Sequence, residues 1–510
     1  MILGRTDPTA GNRATLDELF RRAGVRSPDT DALIDPPNRE SFTDGAPRRL
    51  SYAEADRAIS AFVTRLRRLG LQTDTVVAMQ LPHTVESVIT LLGVLRAGMI
   101  AVPLPLLWRK QDMVAALGRI GAKAIITSSR IGSLAGAELA MHVAAELFPI
   151  RYICAFGDKL PDGVLPLDDL FLPGQPDIVP LPARPGNAAA HVAAVTFEVG
   201  ANGVRAFARN HNELIAGGLG PYLESGATLD AGLLSAIPLG SFAGIALSLV
   251  QWLLGGGTLR LHHAFDPETF AAQCRTQDGG RIVLPGPALA PLAEAGHLGG
   301  TGKTMVALWR SPERLASNPH WGGEATLMDV SSFGEVGLIA ARRGPDGIPT
   351  PIPCGMVGAP QGTASAVTVA ETARTNSGTL ALRGTMVPTQ AFPPGAERGG
   401  EPHLAADESG FVDTGFSCRH ERDSNTLTIA GPPAGITSIG GYRFRQNEVD
   451  WLVAAADLDA TIVALPDAYL NQRLAGSAPD GAATAAELDT RGANPLIGGA
   501  FRPRKPAIAA

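Results

Sequence analysis

From Leu50 onwards, the apolar positions alternate between helical and strand spacing. In SYAEADRAISAFVTRLRRLG the apolar residues recur three or four positions apart and Gly70 closes the run, which predicts a helix. Short apolar runs such as TVVAMQL and MIAVPL predict buried strands, separated by helical segments that again end in glycine. Repeated units of strand, helix and strand at this spacing indicate a parallel sheet covered by helices.

The pattern changes after about Pro351. The segments GTLALRG, GFVDTGFSCRH and NTLTIAG are short and alternating, which predicts antiparallel strands. GPPAG, residues 431–435, is typical of a linker, and a small unit follows it. We therefore predict an α/β protein with a large N-terminal domain, 1–432, of helix-covered, mostly parallel sheets and a small antiparallel β portion. A small, shortened α+β domain, 433–510, completes it.

Composition narrows the class of protein. The chain has 510 residues, of which 45% are apolar and 18% charged, so it folds around a large core. The net charge of -6 argues against a nucleic-acid partner, which needs basic surface. The four cysteines form no CxxC pair, so neither a zinc site nor a disulfide framework is indicated. This cysteine usage is typical of the cytoplasm.

One uncharged segment, Ala231 to Leu259, is long enough to span a bilayer. Pro238, Gly240, Gly244 and the glycines at 255–257 interrupt it, and the uninterrupted part is too short to cross. We therefore expect no membrane span and a buried helix beside a pocket.

The stretch TFEVGANGVRAFARNH, residues 196–211, has the outline of a phosphate-binding loop. Gly200 and Gly203 allow the backbone to approach a phosphate, and the amide groups of Ala201 and Asn202 lie between them. Arg205 follows, and a guanidinium pairs well with phosphate. The alternative is an ordinary strand and turn with a solvated arginine.

Six motifs occur in an order that resembles a known family: LSYAEADRAISAFVTRLRRLGL, LPHTVESVITLLGVLRAGMIAVPL, PLGSFAGIALSLVQWLLGGGTLRL, SSFGEVG, GFVDTGF and GPPAGITSIGGYRF. With them the chain, from about Leu50 to Arg473, resembles the adenylate-forming (AMP-binding) superfamily of acyl-CoA synthetases, peptide-synthetase adenylation domains and luciferases. The resemblance implies the two-domain fold of that family and the activation of a carboxylate with ATP and Mg²⁺. A fold by itself does not establish an activity.

The resemblance also assigns roles to residues. It implies that the loop from Gly200 to Arg205 binds phosphate and that Glu335 binds magnesium, unless Glu335 is an ordinary solvated loop residue. Arg205 and Glu335 would act in catalysis. The remaining positions group by role: Ser331, Ser332, Thr414 and Phe416 for the nucleotide; Ser241, Phe242 and Gly244 for the substrate pocket; Gly435, Gly440 and Gly441 for the hinge and the thiol half-reaction.

Several family positions are changed. Phe416 stands where the resemblance places a ribose-binding aspartate, and a phenylalanine accepts no hydrogen bond. Ser331 replaces the aromatic residue expected against adenine, and we predict that Phe333 belongs to the core. Pro432 replaces the hinge arginine. No segment resembles the motif of the C-terminal catalytic lysine, and Lys505 stands in a different context.

Two functions remain open. The first is a divergent ligase that activates an acyl or aryl carboxylate with MgATP and transfers it to the thiol of coenzyme A or of an acyl carrier protein. The second is a catalytically impaired relative that binds an acyl group, a nucleotide or a carrier protein. The retained glycines and Glu335 favour the first, and the changed positions favour the second.

Overall fold

Two mostly parallel sheets form the centre of the computed structural model, which describes residues 14–174, 186–277, 279–298, 302–317, 320–399 and 403–502. Within these ranges the first sheet has seven strands, in the order Gly203–Asn210, Val192–Gly200, Ile100–Pro103, Val76–Gln80, Ala124–Ser128, Tyr152–Phe156 and Leu165–Pro166. The second has eight: Gly337–Arg342, Thr326–Phe333, Lys303–Trp309, Gly280–Pro285, Leu233–Ser235, Leu259–Leu261, Asp31–Ile34 and Arg49–Ser51. Antiparallel pairs occur only at the edges of these two sheets in the described part.

A third, antiparallel sheet follows in the chain. Its described strands are Ile352–Pro353, Thr426–Gly431, Val412–Glu421, Thr379–Arg383, Val367–Arg374 and Gly355–Ala359, in that order across the sheet. The predicted fold class is therefore confirmed.

Helices cover the parallel sheets, since the chain crosses from strand to strand through them. The α-helices of the described large-domain residues are Leu16–Arg26, Tyr52–Arg68, Val85–Arg96, Lys110–Ile120, Gly136–Glu146, His211–Ser225, Phe242–Gly244, Gln251–Gly255, Pro267–Arg275 and Leu289–Glu294. A π-helix, Ile245–Val250, joins two of them. In the part of the chain that the structure describes, no helix is long and apolar enough to span a membrane.

The small C-terminal unit has a core of its own. The C-terminal hairpin pairs Ile436–Ile439 with Tyr442–Arg445, and a second hairpin pairs Thr461–Asp467 with Asn471–Ser477. The helices Gln446–Ala456, Gly481–Thr490 and Pro495–Gly498 pack against them. The boundary at 432 and 433 remains a prediction, and Lys505 lies outside the described residues.

Close packing between the helix His211–Ser225 and the segment that begins at Phe242 positions the site. Asn210, the last residue of the strand Gly203–Asn210, caps the helix His211–Ser225 by accepting from the Glu213 N–H at 3.0 Å. A Cβ on Gly217 of this helix would lie 2.3 Å from the ring of Phe242, so only glycine allows the approach. The segment beginning at Phe242 is thereby fixed against the core.

The same capping box generates a pH prediction. Burial raises the pKa of Glu213 to about 7, against the opposing effects of its hydrogen bond to Asn210 and of Arg209. Because the folded state holds this proton more tightly than the unfolded chain, the stability contribution of Glu213 falls as pH rises from about 4.5 to about 7. Glu213→Gln cannot ionise, so we expect its melting temperature relative to wild type to be higher at pH 8 than at pH 5.

Thermal unfolding of both proteins across this pH range measures the effect. Glu54→Gln is the matched control, because Glu54 has the same capping role in the helix Tyr52–Arg68 but is exposed. An equal pH response in the two variants would contradict the role of burial.

Candidate functional site

A cavity of about 570 Å³ lies where the large domain meets the C-terminal hairpin. The carboxyl ends of two neighbouring parallel strands reach it through Trp309 and Pro285. From the small unit, Gly440, Gly441 and Tyr442 complete the wall. The carboxyl ends of parallel strands are the usual place for a ligand site in such sheets.

Glu335 lines this cavity and is buried. Its carboxylate accepts the Phe242 N–H at 2.8 Å, and its backbone carbonyl accepts from Arg209. Arg209 is itself buried, and its guanidinium carbon lies 3.7 Å from the centre of the Phe242 ring. Burial lowers the pKa of Arg209 to about 10, while the nearby Glu335 counteracts the shift. Glu335 is therefore a fixed cavity residue and not a solvated loop residue.

The predicted phosphate loop is a β-hairpin. Gly200 pairs with Gly203, so the turn consists of Ala201 and Asn202. The cavity is lined by the preceding residues, Glu198 and Val199, and among the described residues the turn itself does not contribute to the lining. The loop therefore reaches the cavity that contains Glu335 through its strand residues Glu198 and Val199 and not through its turn.

Glu198 changes the charge of this loop. It is buried, its carboxylate pairs with Arg205 at 3.2 Å, and it also pairs with Arg443 of the C-terminal hairpin. A Cβ on Gly334 would lie 1.9 Å from a Glu198 oxygen, so the pair rests directly beside the backbone that precedes Glu335. The expected phosphate ligand Arg205 is therefore held by a carboxylate of the loop.

An aromatic and cationic cluster fills the region expected to hold ribose. Phe416 is buried and meets Phe333 edge to face, with ring centres 5.6 Å apart. The guanidinium carbon of Arg443 lies 4.9 Å from the centre of the Phe416 ring. Phe333 is a core residue, as predicted. Thr414 donates to the Leu380 carbonyl at 2.7 Å, so its hydroxyl has a structural partner.

The serines of SSFGEVG differ in position. Both belong to the strand Thr326–Phe333 and are buried, but Ser332 lines the cavity whereas Ser331 is not among its lining residues. Ser332 donates to the Gly334 carbonyl at 3.1 Å.

Of the three predicted pocket residues, Ser241 lines the cavity. Its hydroxyl accepts the Gly244 N–H at 3.1 Å and the Arg310 guanidinium at 2.8 Å. Phe242 is buried behind it. A Cβ on Gly244 would lie 1.9 Å from the Pro238 carbonyl oxygen, which explains the glycine. Phe242 and Gly244 therefore position the pocket and are not among its lining residues.

The C-terminal hairpin places two of its predicted glycines in the site. Gly440 and Gly441 line the cavity, while Gly435, with a φ of 71°, precedes the first strand of the hairpin. A Cβ on Gly441 would lie 2.8 Å from the Arg310 side chain, and its φ of 84° also requires glycine. The Tyr442 hydroxyl accepts the Leu107 N–H at 3.2 Å and anchors the hairpin to the large domain.

The residues of the site fit a magnesium ion better than they fit a nucleotide. One carboxylate, Glu335, is enough where phosphates supply the other ligands, and no group of three or more potential ligand side chains occurs among the described residues. The Glu198 carboxylate in the loop would repel a triphosphate, and the Phe416 side chain has no acceptor for ribose hydroxyls. Glu335 would thus suffice for a magnesium ion held together with phosphates, whereas Phe416 would not hold ribose hydroxyls.

Comparison with known proteins agrees with the fold. Residues 20–278 match the family model described as AMP-binding enzyme. A stretch of 266 residues is 27% identical to long-chain fatty acid transport protein 1 of Bos taurus, over 51% of this chain and 39% of that protein. The matched region is thus well under half of that relative's length.

Among solved structures, the amide bond synthetase McbA of Marinactinospora thermotolerans superposes with a TM-score of 0.69 at 16% identity, over 95% of this chain and 94% of that one. MbtA of Mycobacterium smegmatis superposes with a TM-score of 0.63 at 20% identity, over 95% and 90%. At these identities the superpositions establish the fold alone. With the family model matching residues 20–278, the chain belongs to the AMP-binding enzyme family.

Proposed function

We propose that the protein is a divergent ligase that activates a carboxylate with MgATP and transfers the acyl group to a thiol. One observation carries the proposal: Glu335, the loop strand at Glu198 and Val199, Ser241 and the glycines of the C-terminal hairpin all line a single cavity. These groups are far apart in sequence, and such convergence on one cavity is typical of an active site.

Each group has a role in this proposal. Glu335 holds magnesium, the loop from Gly200 to Arg205, which follows the wall residues Glu198 and Val199, approaches phosphate, and Ser241 borders the acid. Ser332 contributes to the nucleotide region from the cavity wall, of which Ser331, Thr414 and Phe416 are not a part. The hinge residues Gly435, Gly440 and Gly441 serve the thiol half-reaction, with coenzyme A or a carrier protein as acceptor.

The acid is an acyl or aryl carboxylate. Apolar residues make up much of the cavity wall, among them Leu104, Trp108, Phe197, Ile237 and Phe265. The likeness to a protein named for long-chain fatty acid transport supports an apolar acid.

The test is pyrophosphate exchange with MgATP and a panel of fatty and aryl acids. We expect carboxylate-dependent exchange by the wild type. Glu335→Gln keeps the acceptor for the Phe242 N–H but removes the charge, so exchange should fall by roughly a hundredfold. Glu371→Gln, in a surface pair with Arg383, is the control and should exchange as the wild type does.

Absence of exchange by well-folded wild-type protein with every acid would overturn the ligase proposal. Equal exchange by wild type and Glu335→Gln would remove Glu335 from the magnesium role.

A second candidate function is a binding module without turnover. The specific observation in its favour is that Arg443, Glu198 and Phe416 occupy the region in which the resemblance places phosphate and ribose. A small-domain side chain in that region competes with a nucleotide for the same space.

Glu198→Gln separates the two candidates. Removing the carboxylate eliminates one like charge near the phosphates, which is worth on the order of 1 to 4 kcal/mol at 4 Å, and frees Arg443 for a phosphate. We expect weak MgATP binding by the wild type and at least about tenfold tighter binding by the variant in calorimetric titration. The variant should unfold at a lower temperature than the wild type without nucleotide and recover when MgATP is added.

Glu371→Gln again controls for the loss of one carboxylate from a Glu–Arg pair. If Glu198→Gln folds and still fails to bind MgATP, the nucleotide site is closed for other reasons and the binding module is the better function.

A further inference from the structure

More arginines than glutamates line the cavity. Three arginines, Arg109, Arg310 and Arg443, line it against two glutamates, Glu198 and Glu335. A cavity with one excess positive charge and a largely apolar wall favours a ligand with a single negative charge.

Two of these arginines are engaged elsewhere. Arg443 pairs with Glu198. Arg109 donates to the backbone carbonyls of Leu106 at 3.3 Å and Trp108 at 3.1 Å. Both guanidinium groups therefore already have acceptors that hold them against the protein.

Arg310 differs from these two arginines in its hydrogen-bond partner. It follows the strand Lys303–Trp309, donates to the neutral hydroxyl of Ser241 at 2.8 Å, and forms no salt bridge within 4.0 Å among the described residues. Arg310 is half-buried and lines the cavity. Glu335 interacts electrostatically with Arg310 and also with Arg209.

We propose that Arg310 binds the carboxylate of the substrate, with Ser241 as the positioning residue that orients the guanidinium, and that the substrate is an apolar monocarboxylic acid. This deepens the proposed function by naming its carboxylate-binding group. It needs no nucleotide, so it can be tested whether or not the protein turns over ATP.

The geometry supports a carboxylate for three reasons. A planar guanidinium with several donors matches a carboxylate in two parallel hydrogen bonds. Gly441 packs over the aliphatic stem of Arg310, where a Cβ would lie 2.8 Å away, so the arginine is held in place by the hairpin. The wall of the cavity provides apolar surface for the rest of the acid.

The experiment is calorimetric titration of the full chain, without nucleotide, with sodium octanoate, with octanamide and with inorganic phosphate. Octanamide has the same apolar chain and no charge. We expect the wild type to prefer octanoate to octanamide by at least about tenfold, which corresponds to about 1.4 kcal/mol, and to bind phosphate more weakly than octanoate.

Arg310→Met should abolish this preference while leaving octanamide binding unchanged, and Arg310→Lys should restore part of it. Arg109→Met is the control, because it removes the same charge from another part of the cavity and should change the preference by less than about threefold.

Three outcomes would overturn the proposal: no preference for octanoate in the wild type, an equal loss of preference in Arg109→Met and Arg310→Met, or phosphate binding tighter than octanoate. Loss of pyrophosphate exchange with the octanoate preference intact would contradict the ligase but leave the carboxylate site standing.

Discussion

The C-terminal hairpin, seated on the large domain through charged side chains, forms one wall of the cavity. Arg443 reaches Glu198, and Gly441 packs over Arg310. Tyr442 adds a hydrogen bond to the Leu107 N–H. Pro285 and Trp309, at the carboxyl ends of two strands, share the cavity wall with residues of this hairpin. The hairpin therefore supplies part of the wall of the site and one of the charges that line it, Arg443.

A buried ion pair between two domains contributes more to fixing their relative position than to the free energy of unfolding. Removing Glu198 and Arg443 from water costs several kcal/mol for each ion, and their attraction offsets this only with good geometry and further partners. Arg205 supplies a second partner for Glu198, and the Phe416 ring supplies a face for Arg443. A hairpin shifted by one residue would leave these charges buried and unpaired, which would cost about 3 to 5 kcal/mol. The pair thus fixes the register of the small unit on the large one.

Local patterns were sufficient for the fold, and they failed where the site depends on contacts between distant segments. Helical spacing closed by glycine and short apolar runs predicted the parallel sheets, because these signals are local. Glu198 lies in the quoted loop, and a charge in the apolar run HVAAVTFEVG could have been noticed. Arg310 also gave a signal, since it directly follows the apolar run MVALW, residues 305–309. The role of Arg443 could not be found in this way, because it follows from how the C-terminal hairpin docks, across more than two hundred residues of sequence.

Glycines of the site are required by the backbone and by close packing. Gly203, with a φ of 117°, is required by the turn itself, whether or not a phosphate is bound. Gly334 is required because Glu198 and Arg443 lie where its Cβ would be. Backbone positions of this kind persist for packing reasons, so they indicate ancestry and fold but not nucleotide binding. The informative positions are those where charge has changed. Here a loop carboxylate and a hairpin arginine occupy the region expected for phosphate, and a second arginine, Arg310, stands in the acid pocket with a neutral partner. In this site Glu198 and Arg443 therefore hold the hairpin, and Arg310 is the arginine that we propose for the acid.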